Sequence, residues 1–526
     1  MSRLSWVLFC LILLFSVVIR VYQLDNLPVE LTGDEIDVGI QAHSLLRTGK
    51  DYLGHPLPIF LQSFSEYRLP LLHYLTIPFV AVFGLTEWTV RLPMVILSLF
   101  SILAIFVLGS QIVSQRLGFT AMLLTTISPW HIQFSRWSND NLAVMLLSVL
   151  GVSLFLRRRY TLAALFLALS FYAYSVAAVF VPLLILILLI SLRTLTGKLI
   201  VPIIFGLVLL TPYIYGLSQQ ITSRRFSQIS VFSDSTLRED IIRRRVESSS
   251  PLTPVFRNRL IYYPQEILNN YLRSFSTEFL FFSGDPILRH AVGGMGMLYF
   301  FEVATVALGL FFFRNKLILG WLLIAPIASA MTKDGGNHAG RLIVMLPPLI
   351  LLSAAGLNYL RPKKLLFFAL GAFAVFNFSF YLYRYYIEWT HDAWRFWQPG
   401  FKTALTYLKS QDSNFSRVYL NNTYEFTLSR FLFWFAYDPA LFQSEYPLRD
   451  SNPTSAFDGY NIGKYYFGTL KNRVAETGFS QLLQPGEAYL ASVRDEIGTG
   501  TIGGVTVDQI ITSPTGLPLY YILTKK

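Results

Sequence analysis

Residues 176–217 read VAAVFVPLLILILLISLRTLTGKLIVPIIFGLVLLTPYIYGL, two apolar runs whose only charges, Arg193 and Lys198, sit between them. Each run approaches the ~20 residues that a helix needs to cross roughly 30 Å of hydrocarbon. Comparable runs recur from Trp6 to about Tyr386, whereas the residues that follow have ordinary soluble character. Composition agrees: of 526 residues, 53% are hydrophobic and 14% charged. That balance excludes a cytosolic enzyme and predicts a polytopic α-helical membrane protein.

Working outward, further spans are expected near Ser5 to Val21, Thr89 to Val113, Leu117 to Phe134, Leu142 to Leu156, Thr161 to Tyr174, Gly293 to Phe313, Leu317 to Met331, Leu342 to Leu360 and Leu365 to Tyr385, about eleven helices in all. The first follows Arg3 like a signal peptide, but no small-x-small cleavage site follows it, so it reads as a retained span. Leu69 to Leu85 is apolar yet short, and carries Pro70, His73 and Pro78. If it lies in the interface, then Arg116, Arg157 to Arg159, Arg193 with Lys198, Arg314 with Lys316, and Arg361 with Lys363 and Lys364 all face the cytoplasm, as the positive-inside rule requires. The N-terminus is then cytoplasmic, in the cytoplasmic membrane. A transmembrane domain over 1–387 holds a first outer loop at 22–88 and a long outer loop at 218–292. Residues 388–526 form a C-terminal extracytoplasmic α/β domain, with a helix around Thr403 to Lys409 and a strand in SRVYLNN.

The net charge of +12 does not indicate nucleic acid, because the cations sit between apolar segments and not among base-stacking aromatics. A single cysteine, Cys10, excludes an intramolecular disulfide and a Cys-based metal site.

Chemistry is expected in the outer loops. LTGDEIDVGIQAHSLLRTGKD places Asp34, Glu35 and Asp37 just after the first span. Asp34 has two open readings: an N-cap after Gly33, or a carboxylate that takes a proton from an acceptor. SEYRLPLLHY adds Glu66 and Arg68, where Arg68 either snorkels to head groups or clamps a phosphate. SPWHIQFSRWSNDNL gathers Trp130, His131, Arg136, Trp137 and Asp140. The tryptophans fit an aromatic belt, Asp140 fits an N-cap, and the four-residue spacing of Arg136 and Asp140 fits a pair across one helical turn, with Arg136 also a candidate donor-phosphate ligand. In the long loop, Arg224, Arg225, Asp285, Arg289 and His290 are candidates for binding an anionic substrate, with a solvated face as the competing reading. MTKDGGNHAGRLIVMLPP sets His338 and Arg341 at a helix entrance, as phosphate ligands or interfacial anchors.

Gly498, Gly500 and Gly503 match G-x-G-x-x-G, but no apolar strand precedes them and no helix is expected after them, so a dinucleotide site is rejected. Walker A, HExxH and GxSxG patterns are absent from the sequence.

Several blocks together carry a resemblance: the acidic pair after span one, TG-x-D-x-x-G-x-P-L-P at 48–58, FGLTEWTVRLP at 83–93, SPWHIQFSR at 128–136, FLFFSGDPILRH at 279–290 with GGMGMLY at 293–299, and H-x-x-R at 338–341 before LPP. In this order they resemble integral-membrane GT-C glycosyltransferases, specifically the bacterial group allied to protein O-mannosyltransferases and to aminoarabinose transferases of lipid A. The resemblance implies a polyprenyl-phosphate-linked sugar as donor, transfer of one sugar with inversion on the extracytoplasmic face, and a lipid, glycan or protein as acceptor. It implies Asp34 as the carboxylate that deprotonates or aligns the acceptor, with Glu35 beside it, and Asp140 as a second acidic residue. Arg68 stands where relatives often carry Lys, which leaves its place as a phosphate clamp open, and His338 and Arg341 match positions expected at the donor phosphate. Oligosaccharyl-transferring relatives use a divalent cation and single-sugar members mostly do not; the expectation here is no required metal.

A transporter or flippase of lipid-linked saccharides is the alternative. It calls for ionisable residues at mid-bilayer, and the span interiors hold few, Glu302 being the main exception.

Overall fold

The computed structural model describes residues 2–63, 66–192, 197–219, 221, 223–248, 250, 252–422, 427–446, 460–468, 479–493 and 504–525, with the backbone alone described at 223–225. The chain forms two compact units, one of Met1–Tyr22 with Met94–Tyr386 and the other of Gln23–Pro93 with Ile387–Lys526.

The first unit is built from apolar helices. Among the described residues, helices at Arg3–Val21, Glu87–Ile112, Gly197–Ser218, Ala339–Leu360 and Lys364–Trp397 are long and apolar enough to cross a membrane, by length and composition. Shorter apolar helices include Asn141–Leu156, Tyr160–Tyr172, Ala177–Leu192, Glu302–Phe312 and Lys316–Ala330. Small residues set the closest helix pairing. A Cβ on Gly356 would fall 1.9 Å from the Thr305 carbonyl oxygen, and one on Gly309 would fall 2.1 Å from that of Leu352. Only hydrogen at both positions lets the Glu302–Phe312 and Leu346–Leu360 helices approach so closely, and Thr305 and Ser353 hydroxyls hydrogen bond across the contact at 2.7 Å.

Three expected spans are interrupted. Leu117 to Phe134 divides into helices Gln115–Ile127 and Pro129–Ser135, since Pro129 lacks a donor and Ser128 caps the new start by accepting from His131 N. In Gly293 to Phe313 the helix begins only at Glu302, because Gly293 and Gly294 take left-handed backbone (φ +77° and +60°), which ends a right-handed helix. Leu317 to Met331 breaks at Pro326 into Lys316–Ile324 and Ile327–Ala330.

The second unit joins the first loop to the C-terminal residues. Gln23–Pro93 clusters with the C-terminal residues Ile387–Lys526 in this unit. Buried polar contacts give the reason. Arg430 donates to Leu31 O at 3.0 Å, Glu30 accepts from Gly400 N at 2.6 Å and Lys402 N at 2.7 Å, and Gln443 donates to Asp51 O at 2.9 Å. The loop contributes a two-stranded antiparallel ribbon, β1 (Leu61–Gln62) and β2 (Tyr67–Arg68), and helices Gly33–Thr48 and Leu71–Phe83.

The C-terminal sheet contains β3 (Arg417–Leu420), β4 (Tyr460–Ile462), β5 (Tyr465–Phe467), β6 (Glu487–Ser492), β7 (Thr506–Thr512) and β8 (Pro518–Thr524), in the order β4-β5-β3-β6-β8-β7. Strand β3 is parallel to both β5 and β6, and the other pairings are antiparallel. With helix Phe401–Ser410 this is the expected α/β character, and SRVYLNN supplies β3. The glycines Gly498, Gly500 and Gly503 lie outside the described residues.

Candidate active site

The Gly33–Thr48 helix starts two residues earlier than an Asp34 cap requires. Thr32 is the N-cap: its hydroxyl accepts from Glu35 N at 3.3 Å, while Glu35 Oε2 accepts from Thr32 N at 3.0 Å, a complete capping box. Asp34 therefore lies in the first turn, not at the cap. Glu35 has a second tie, because its Oε1 accepts from Arg91 Nε at 2.9 Å with both side chains fully buried. Arg91 also donates to the carbonyls of Leu24, Pro28 and Glu30 at 2.8 to 3.0 Å. Glu35 is thus held in the frame of the loop.

Asp34 and Asp37, three apart, share one face of this helix. Between them lies Arg68, whose Nη2 is 2.6 Å from Asp34 Oδ1 and whose Nε is 3.6 Å from Asp37 Oδ2. Its Nη1 is 2.9 Å from Glu66 Oε1. Burial works against the Arg68 charge, but Asp34, Asp37 and Glu66 outweigh it and hold the guanidinium protonated beyond the usual arginine range. Asp37 is further held by Ser63 Oγ at 2.9 Å and Tyr52 OH at 3.3 Å, and His73 Nε2 lies 3.5 Å away. Burial, then the charge of Asp37, push the Tyr52 phenol up, so it stays a donor. Of these carboxylates Asp34 opens to solvent, its side chain 44% exposed against 6% for Asp37. The arrangement is a framed cation with one accessible carboxylate. Arg68 belongs to it as a paired side chain, not a snorkelling anchor.

The first unit gathers a second set. Asp285 Oδ2 accepts from His290 Nδ1 at 2.8 Å and from Ala339 N at 2.7 Å, and its Oδ1 accepts from Ile287 N at 2.8 Å. His290 stacks on Trp137, 6.0 Å between ring centroids, and lies 4.8 Å from the His338 ring. His338 caps the turn Ala339–Leu342 by accepting from Arg341 N at 3.3 Å. Arg341 donates from Nη1 to Thr332 Oγ1 at 2.7 Å, while its buried Nε meets no hydrogen-bond partner among the described residues. Ligand atoms of Asp285, His290 and His338 lie within 4.8 Å of one another, close enough for a metal ion. The donor chemistry fits one poorly, because Asp285 already accepts three N–H bonds and the backbone N–H points at His338 Nδ1.

Other expectations around the 128–142 stretch are corrected. Arg136 and Asp140 do not pair across a turn: Arg136 ends the Pro129–Ser135 helix, Asp140 precedes Asn141–Leu156, and the residues between are not helical. Arg136 is fully buried, donating to Ile19 O and Tyr22 O at 2.7 Å and to Tyr385 OH at 2.8 Å. Asp140 occupies the cap position without a side-chain cap hydrogen bond. Trp130 and Trp137 are buried, so neither belongs to a surface belt. His131 is buried between Arg20 at 2.8 Å and Ser101 at 2.7 Å. Gln133 donates to the Arg289 carbonyl at 2.8 Å. Arg224 and Arg225 lie on helix Ser223–Ile229, with side chains outside the described residues.

Ser63, Tyr52, His73 and Arg91 were not among the residues singled out from sequence. The three-residue spacing of Asp34 and Asp37 is the signal that could have shown a shared helix face; no local pattern signals which donors face it.

Residues 68–230 match the family model described as dolichyl-phosphate-mannose-protein mannosyltransferase. No curated protein matches the chain. Among solved structures, ArnT from Cupriavidus metallidurans bound to undecaprenyl phosphate is similar at 12% identity and a TM-score of 0.59, covering 99% of this chain and 98% of that one. Its apo state gives 11% identity and a TM-score of 0.53, over 99% and 97%. The Archaeoglobus fulgidus oligosaccharyltransferase in complex with Zn and sulfate gives 14% identity and a TM-score of 0.50, over 98% of this chain and 72% of that one. The chain thus has a fold similar to that of ArnT over nearly its whole length, and its segment 68–230 matches the mannosyltransferase family model.

Proposed function

We propose that the protein transfers a single sugar from a polyprenyl-phosphate-linked donor to a hydroxyl or amine of a lipid, glycan or protein acceptor, on the extracytoplasmic face and with inversion. The observation that carries this reading is the pairing of an accessible Asp34 carboxylate with a framed, permanently charged Arg68 at 2.6 Å. Asp34 takes the proton of the acceptor as its oxygen or nitrogen bonds to the anomeric carbon. The bond from that carbon to the phosphate oxygen breaks in the same displacement, and the leaving group departs as polyprenyl phosphate. A single displacement inverts the centre through an oxocarbenium-like state. Polyprenyl phosphate is a good leaving group, so cations on its side suffice and a general acid is not needed.

Three carboxylates surround Arg68, so a phosphate there must displace one of them. In the first unit, His338 and Arg341, whose buried Nε–H meets no hydrogen-bond partner among the described residues, are proposed as donor-phosphate ligands. Asp140 is proposed as a second acidic residue of the reaction. Asp285, Arg289 and His290 are proposed to contact substrate. The reaction is proposed to require no metal; activity retained after exhaustive EDTA treatment is the expected result. The lipid carried in the ArnT structure, undecaprenyl phosphate, supports the donor class. Binding of undecaprenyl phosphate to the purified full chain tests it: Arg341→Gln should weaken binding at least tenfold, and unchanged binding would remove Arg341 from the phosphate site.

A further inference from the structure

At the far end of the Asn141–Leu156 helix from Asp140, about 24 Å away along its axis, a cavity of about 560 Å3 is lined by Arg157, Arg314 and Lys316, with Gln111, Ser191 and Asn315 among them. Among the described residues, no carboxylate lines it. Gln111, turned with its amide oxygen to Arg157, accepts from that guanidinium and donates to Ser153 O at 3.3 Å, which orients the guanidinium. The Asn315 side-chain oxygen caps Leu317 N and Ile318 N at 3.0 and 3.1 Å. That leaves its amide nitrogen as a donor. Three uncompensated cations with neutral donors between them match a phosphate, which guanidinium groups bind in a forked geometry.

A second cavity, of about 380 Å3, lies beside the same helix ends. Phe155 lines it one residue before Leu156 of the basic cavity, and Leu188 and Leu189 line it just before Ser191 and Leu192. Among the described residues, no charged one lines this groove, which runs between helices Tyr160–Leu169, Ala177–Leu192 and Ile200–Ser218. Both volumes fall in the roughly 300–1,000 Å3 range of small-molecule sites. A charged pocket between membrane helices next to an apolar slot has the two-part chemistry of a lipid.

We propose that the paired cavities form a binding site for an anionic phospholipid, its phosphate among Arg157, Arg314 and Lys316 and one acyl chain in the groove past Gly206. The site is separate from the candidate active site and takes a membrane lipid, not a sugar donor.

The test is native mass spectrometry of the full chain in detergent, titrated with dioleoyl phosphatidylglycerol or dioleoyl phosphatidylcholine. One phosphatidylglycerol should bind in preference to phosphatidylcholine, and Arg157→Gln with Lys316→Gln should weaken it at least tenfold. The exchange Arg157→Lys with Lys316→Arg keeps the charges and should keep most of the binding, which separates loss of the site from loss of the fold. A Cβ at Gly206 would meet only Ala164 Cβ, at 3.7 Å, so Gly206→Leu fills the groove without displacing backbone and should also weaken binding. Equal binding of the two lipids, or binding untouched by the Gln pair, would overturn the site. Wild-type affinity in Gly206→Leu would overturn the seating of the chain. Displacement of phosphatidylglycerol by inorganic phosphate at equal concentration would overturn the lipid as occupant.

Discussion

Arg91 Nε and Glu35 Oε1 are 2.9 Å apart with neither side chain exposed, one residue along the helix from the half-exposed Asp34. Removing one partner of a buried pair costs about 3–5 kcal/mol. Glu35→Gln should therefore lower the thermal unfolding midpoint in detergent markedly, whereas Asp34→Asn should leave it nearly unchanged. Equal stability of the two variants would contradict the division of these neighbouring acids into frame and site.

Arg136 binds the carbonyls of Ile19 and Tyr22 and the Tyr385 hydroxyl from different ends of its planar fork. A lysine cannot span three acceptors in that geometry. Arg136→Lys should destabilise the fold by about 1–3 kcal/mol and leave undecaprenyl phosphate affinity of the folded fraction unchanged. Weakened lipid binding at full stability would restore Arg136 to the phosphate ligands.

Burial pushes the Glu30 carboxyl up to about 7, against the pull of Arg430 and the N–H groups of Lys402 and Gly400. The folded chain then holds a proton that the unfolded chain releases near the ordinary value of 4.5. Stability from this group is complete below about pH 4.5 and falls as pH rises through about 7, by on the order of 3 kcal/mol. Chemical denaturation across this range should show that slope, and Glu30→Gln should flatten it. An identical slope in the variant would assign the pH dependence elsewhere.

Close helix approach at Gly356 leaves no room for a side chain, since its Cβ would overlap the Thr305 carbonyl. Gly356→Val should cost about 1–3 kcal/mol or more through backbone displacement, while Gly371→Val, where nothing lies within 4 Å, should cost far less. Comparable midpoints would contradict the packing described.

The apolar runs made the helical class legible, because a bilayer span needs a length of apolar sequence that nothing else explains. The breaks inside the runs were less so: Pro326 and the Gly293–Gly294 pair are visible, but average hydropathy passes over them. At Thr32 the T-x-x-E capping box was present in the sequence, and Gly33 drew attention to Asp34 instead. Asp34, Glu66 and Arg68 were legible as charged residues of one loop. Their meeting depends on the β1–β2 ribbon, which returns Arg68 to the helix face. Arg136 shows the opposite case: its partners come from residues near 20 and 385, a separation that no local spacing reveals. The same holds for the union of the first loop with the C-terminal sheet, carried by single buried side chains such as Arg430.

The most direct measurement is lipid mass spectrometry of membranes from native cells that carry the wild-type protein or Asp34→Asn at matched expression. The account predicts that the substitution makes one polyprenyl-phosphate-linked sugar accumulate, with a head-group mass that reports the sugar. An unchanged lipid profile, in cells where the wild type demonstrably acts, would contradict Asp34 as the carboxylate of transfer.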